Sequence, residues 1–218
     1  MIYTVISSLK ENRIEINKRD CRIVRQPLTL LYPKLKEYTE RGKNEQHNAE
    51  RRLAYITLLS SLKEFFFIEN PVIKRNENGK PSLVDCNVHI SLSHCDEVSA
   101  ITLSDEGEIG VDIQSPVDDA KAERLTKRFL SEIQPKQEEV NIKYFYMTLT
   151  EKGANFTEIF LENSDKTDFL SKWVYLESVI KAYGISFSEI SKINELSKNT
   201  KTCILNYKNS KIAVTTAD

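Results

Sequence analysis

The sequence predicts an α+β protein of two lobes, each a small antiparallel sheet packed with helices. Three observations carry this. Period-two alternation clusters between Asn87 and Gln114 and returns between Thr202 and Thr215. A helical-period apolar stripe occupies Ala49 to Phe66, and Asp168 to Tyr183 reads as a second helix ending at Gly184. Each half of the chain holds both signals, with Ser115-Pro116 between them, which predicts a pseudo-duplicated arrangement with lobes at residues 1–115 and 116–218. At 218 residues the chain is long enough to bury a real core. Its 29% charged and 40% apolar residues are ordinary for a globular protein, and a net charge of −1 supplies no basic field for nucleic acid. Apolar runs such as Phe65 to Ile68 are too short to cross a membrane. Cys21, Cys86, Cys95 and Cys203 show no CxxC spacing, and the opening Met1–Ile6 lacks a basic start and a long apolar run. Reduced thiols in a cytoplasmic protein are therefore expected.

Ile2 to Ser7 alternates as a first strand. Leu28 to Tyr38 reads as a short helix interrupted by Pro33, and Arg41 to Asn48 as a polar loop. In the helix over Ala49 to Phe66, Ala54, Leu58, Leu62 and Phe65 share one face. Arg51 and Arg52 sit in its first turn, where the helix dipole does not favour cations; they belong either to a solvated face or to an anion-facing one. Pro71 to Lys74 is a short strand. Asn78-Gly79 then marks a turn that fixes Lys80 in place, either solvated or, beside Arg75, lining an anion site.

Asn87 to Gln114 reads as three consecutive strands, with a hairpin at Asp105-Glu106-Gly107. His94 ends one strand. Asp112 and Gln114 lie two residues apart on another and so share a face. Val117 to Leu130 is a helix with acidic residues at its start and basic ones at its end. Glu138 to Leu149 reads as a further helix and Thr150 to Lys166 as an irregular insertion. The helix over Asp168 to Tyr183 is closed by Gly184 and aligns Trp173, Glu177 and Lys181 at i, i+4, i+8. A terminal hairpin follows.

Lys80, His94, Asp112, Gln114, Glu177 and Lys181 are the candidate functional groups. Two carboxylates and an amide oxygen suit a hard cation such as Mg²⁺, and lysines with a histidine suit phosphates that such an ion bridges. Glu177 and Lys181 are equally readable as a surface i, i+4 pair worth about 0.2–0.5 kcal/mol.

Taken in order, Gly79-Lys80-Pro81, Ile90-Ser-Leu-Ser93-His94, Gly110-Val-Asp112-Ile-Gln114, Lys127-Arg-Phe129 and Trp173-x3-Glu177-Ser-x2-Lys181-Ala-x-Gly184 resemble the 4'-phosphopantetheinyl transferases. The likeness is to the long, monomeric type acting on carrier proteins, and it runs from about Lys74 to Gly184. It implies Mg²⁺-dependent transfer of the phosphopantetheine arm of coenzyme A to a serine of an apo acyl or peptidyl carrier protein, releasing 3',5'-ADP. The alternative is a weakened relative that binds coenzyme A or a carrier protein without turnover. By the resemblance, Asp112, Gln114 and Glu177 are metal ligands, and Glu177 is also the base. Lys80, Arg75, Ser93 and His94 contact coenzyme A, and Lys181 meets the diphosphate. The sequence departs from the family pattern at Gln114, where Glu is common, at Leu176, where Lys is usual, and at Cys95, where Ser or Thr is commoner. The segment Gly184-Ile-Ser-Phe187 replaces a basic glycine loop.

Overall fold

Two sheets lie face to face in the computed structural model, and each carries a long helix on its outer side, giving four layers, α/β/β/α. The structure describes residues 1–12, 14–16, 21–23, 26–27, 45–150 and 153–217. Its strands and α-helices are, in order, β1 (Ile2–Ser8), β2 (Ile14–Ile16), β3 (Cys21–Ile23), β4 (Gln26–Pro27), α1 (Glu45–Phe66), β5 (Ile73–Arg75), β6 (Pro81–Leu83), β7 (His89–Cys95), β8 (Val98–Ser104), β9 (Glu108–Gln114), α2 (Asp119–Leu125), β10 (Ile142–Thr150), β11 (Gly153–Ile159), α3 (Phe169–Tyr183), α4 (Ile193–Leu196), β12 (Thr200–Tyr207) and β13 (Ser210–Ala217). The larger sheet runs β11-β10-β1-β8-β7, antiparallel except for the β1–β10 pair, and the smaller runs β12-β13-β9. Two small antiparallel sheets, β2-β3-β4 and β5-β6, complete the described strands.

Successive side chains of a strand point to opposite faces, and both faces of these sheets are covered. Val5 thus packs under α1 against Leu53, Leu58 and Leu62, while its neighbour Ile6 faces the other sheet and meets Val111, Ile113 and Val214. On the outer side of the smaller sheet, Ile204 and Ala213 pack against Val174, Val179 and Ile180 of α3. Burying each such aliphatic side chain stabilises the fold by roughly 1.5–3 kcal/mol. Several small hydroxyls trapped between layers are paired: Ser7 with Thr57 at 2.6 Å, Thr4 with Thr102 at 2.9 Å, and Ser178 with Thr215 at 2.7 Å.

The two sheets meet along a seam between β7 and β9. Among the described residues, the edge of β9 away from β13 has no partner strand. Its exposed donors are instead satisfied by side chains: Val111 N–H donates to Ser91 Oγ at 2.9 Å and Ile113 N–H to Ser93 Oγ at 3.3 Å. Serine at alternate positions of β7 is what lets one strand close the edge of another without continuing its ladder.

The mixed α+β class stands, and each sheet draws strands from both sides of residue 115. Four local expectations are corrected. The Asp105-Glu106-Gly107 turn does not close a hairpin, because β9 leaves β8 and pairs with β13. Glu138 to Leu149 is not a helix: residues from Ile142 form β10, where Tyr144, Phe145 and Tyr146 suit a strand flanked by partners on both sides. The stretch expected to be irregular contains β11, in register with β10 from Tyr144–Ile159 to Thr150–Gly153. Glu45 to Asn48, read within a loop, form the first turn of α1. The helix expected over Leu28 to Tyr38 lies outside the described residues. Among the described residues no helix is long and apolar enough to cross a membrane, and Cys86, Cys95 and Cys203 are free thiols.

Candidate functional site

Helix α3 is placed by its ends and by one glycine. Asp168 caps its N-terminus, accepting from Ser171 N–H at 2.8 Å, and Gly184 ends it in the left-handed conformation at φ 62°. At Gly110 of β9 the helix backbone comes so close that an added Cβ would collide with the Ser178 carbonyl oxygen and sit 2.5 Å from the Ala182 amide nitrogen. This close approach sets Glu177 and Lys181 beside Asp112.

The three groups form one charged cluster. Asp112 is buried; its Oδ1 accepts from Lys181 Nζ at 2.6 Å and from Ser93 Oγ at 2.8 Å, while its Oδ2 is buried with no hydrogen-bond partner. Lys181 Nζ also donates to Ser93 Oγ at 3.0 Å and lies 3.8 Å from Glu177 Oε2. Burial, then the charge of Asp112, pushes the Glu177 carboxyl up to about 7, against the opposing pull of Lys181 and a hydrogen bond from Trp173. The structure thus brings Asp112, Ser93, Glu177 and Lys181 together. Ser93 is buried under this cluster as a donor to Asp112. The Gln114 side chain, by contrast, donates to the Ser115 carbonyl at 3.1 Å.

The cluster opens into a cleft of about 640 Å³ whose walls come from α1 (His47, Arg51, Tyr55), the β5–β6 turn (Arg75, Gly79, Lys80), β7 (Leu92, His94), α3 (Glu177, Lys181) and Gly184 to Phe187. Arginines, lysines and histidines outnumber the single carboxylate on these walls, so the cleft suits an anionic ligand. Arg75 is oriented by bonds to the Gly79 carbonyl at 2.5 Å and to the Tyr55 hydroxyl. Lys80 reaches the last turn of α3, donating to the Ala182 carbonyl and pairing with Glu108. Asn78 adds a bond to the Gly184 carbonyl at 2.9 Å, so the turn clasps the helix end.

His94 lies 3.2 Å from Glu50 Oε2, with its ring centroid 5.0 Å from that of His47. Burial and the neighbouring His47 hold its imidazole below the ordinary histidine range, against the charge of Glu50. His47, Glu50 and Tyr55 went unmarked in the sequence. His47 had fallen in the supposed loop, and an i, i+3 His/Glu pair carries no signal until His94, 44 positions beyond Glu50, is brought beside it. Arg51, expected in a first helical turn, lies in the second turn because α1 begins at Glu45, and it lines the cleft. The chain matches no model of a known protein family and no curated protein at a significant level.

Proposed function

We propose that the protein is a 4'-phosphopantetheinyl transferase that moves the phosphopantetheine arm of coenzyme A onto a serine of an apo acyl or peptidyl carrier protein. The observation that carries this reading is the meeting of Asp112 and Glu177, from opposite halves of the chain, at the wall of a cation-lined cleft. One long helix on each of two stacked sheets also fits the two-lobed, pseudo-duplicated fold of that family.

A divalent ion fits the residues present: Asp112 has a buried carboxylate oxygen with no hydrogen-bond partner, and burial together with the charge of Asp112 raises the neighbouring Glu177 carboxyl to about 7. Asp112 and Glu177 would hold Mg²⁺, whose role when bound is to neutralise diphosphate charge. The other steps belong to the chain. Arg75, Lys80 and His94 bind and orient the phosphates of coenzyme A. Lys181 turns its ammonium from Asp112 toward the diphosphate. Glu177, with proton affinity near neutrality, accepts the proton of the carrier serine as its oxygen attacks the β-phosphorus. A new serine O–P bond forms, the bond from that phosphorus to the bridging oxygen breaks, and 3',5'-ADP leaves with the electron pair.

A second reading is a module that binds coenzyme A or a carrier protein without transfer. It is favoured by Lys80 being committed to the end of α3 and by Gln114 turning to Ser115. Incubation with coenzyme A, Mg²⁺ and an apo carrier protein, followed by intact mass of the carrier, tests the enzyme reading. The expected result is a carrier heavier by one phosphopantetheine. An unchanged carrier mass, with coenzyme A still binding, leaves the second reading.

A further inference from the structure

We propose that His47, Glu50 and His94 form a binding site for one divalent transition-metal ion of the zinc type, with a coordination position open to the cleft. The ligand atoms already stand together. Glu50 Oε2 is 3.2 Å from His94 Nδ1 and 4.0 Å from His47 Nδ1, and a set of donor atoms from the three residues lies within 4.8 Å of one another. Tetrahedral ligands about 2.0–2.2 Å from an ion are separated from each other by roughly 3.5 Å, so small side-chain rotations close the set.

The donor chemistry selects the ion. Two imidazoles and one carboxylate suit zinc, cobalt or nickel, whereas Mg²⁺ takes oxygen ligands. This separates the site from the Asp112–Glu177 pair, which offers only oxygens. Three protein ligands leave a fourth position, and both histidines line the cleft, so that position faces the cavity, where a bound ion would meet a phosphate in place of the direct contact assigned to His94 above.

The site is also held from behind. His47 and Glu50 share a face of α1 at i, i+3 spacing. Glu50 is buried, and its second oxygen accepts from Glu97 N–H at 3.2 Å, which fixes the plane of the carboxylate. That donor is presented by the two-residue turn joining β7 to β8, in which Asp96 and Glu97 adopt φ of 44° and 68°. Neither is glycine, so the turn is strained, and the bonds of Glu97 to Glu50 and to Leu9 N–H at 2.8 Å hold it there. His94 ends β7 at the foot of the same turn. Lys181 adds positive charge nearby, but its ammonium is held by Asp112.

The test is titration of chelator-treated protein with Zn²⁺ by calorimetry, and with Co²⁺ by visible absorption. Wild type should bind one equivalent of each, with the intense visible bands of four-coordinate cobalt and no thiolate charge transfer, and excess Mg²⁺ should not displace the ion. His47→Ala changes a half-exposed side chain, and it should weaken binding by at least about tenfold, the scale seen even for outer-shell losses. Glu177→Gln should leave zinc affinity as in wild type. The proposal is overturned if wild type takes up no Zn²⁺ or if His47→Ala binds it unchanged. It is equally overturned if Glu177→Gln abolishes binding, or if the cobalt spectrum shows thiolate ligation.

Discussion

Glu177 is a half-buried carboxyl, and burial opposes its ionisation. Its carboxyl lies near 7 in the folded chain against an ordinary 4.5. A raised carboxyl contributes stability that is present below about pH 4.5 and is lost as the pH rises through about 7. In metal-free protein, Glu177→Gln should therefore raise the melting temperature above pH 7, by the equivalent of about 1–3 kcal/mol, with the gain vanishing toward pH 4.5. The same variant should lower phosphopantetheine transfer by orders of magnitude. Melting curves from pH 5 to 8 and a transfer assay check the two outcomes; a variant that is no more stable at pH 8 than wild type contradicts the strained carboxyl. Lys80 shows the opposite economy. It was picked out as a phosphate contact, yet its ammonium also terminates α3, so one side chain serves the cleft wall and the helix end.

At the scale of elements, legibility followed locality. The helix carrying Glu177 could be read because Asp168, Gly184 and the i, i+4 rows between them are all signals within one stretch of chain. The strands β7 and β9 were also legible, but the partner of β9 was not. Its pairing with β13 joins residues about a hundred positions apart, which no turn motif announces. Strand β10 was mistaken for a helix because it is flanked by strands on both sides and packed over both faces, which erases the period-two pattern that identifies a half-exposed strand. Gly110 had appeared only as part of a motif; the structure gives it a reason. Gly110→Ala must push α3 off β9, and it should cost about 1–3 kcal/mol and separate Glu177 from Asp112. Denaturant unfolding should show the loss, and the transfer rate should fall with it; normal stability would mean that the helix can shift without consequence.

At the scale of the molecule, the candidate site exists only where the two halves of the sequence meet. Asp112, Lys80 and His94 come from before residue 115 and Glu177 and Lys181 from after it, and both sheets are likewise shared. The composition announced a folded α+β chain, but not that its sheets interleave the halves, since interleaving leaves no trace in local pattern. Fragments 1–115 and 116–218 expressed separately should each lack cooperative unfolding, because each lacks strands that the other supplies. Circular dichroism with thermal melting checks this, and a cooperative melt of either fragment alone would contradict it.

The Ser93 hydroxyl closes the open edge of β9 and also donates to Asp112. A single oxygen therefore mechanically links the gap between the sheets to the orientation of the carboxylate. A larger side chain at Ile212, in the apolar layer between the sheets, would act as a wedge there. Widening that gap would loosen the grip on Asp112 although no group in the cleft had been altered, so a change in the apolar interior would reach the cleft from a distance.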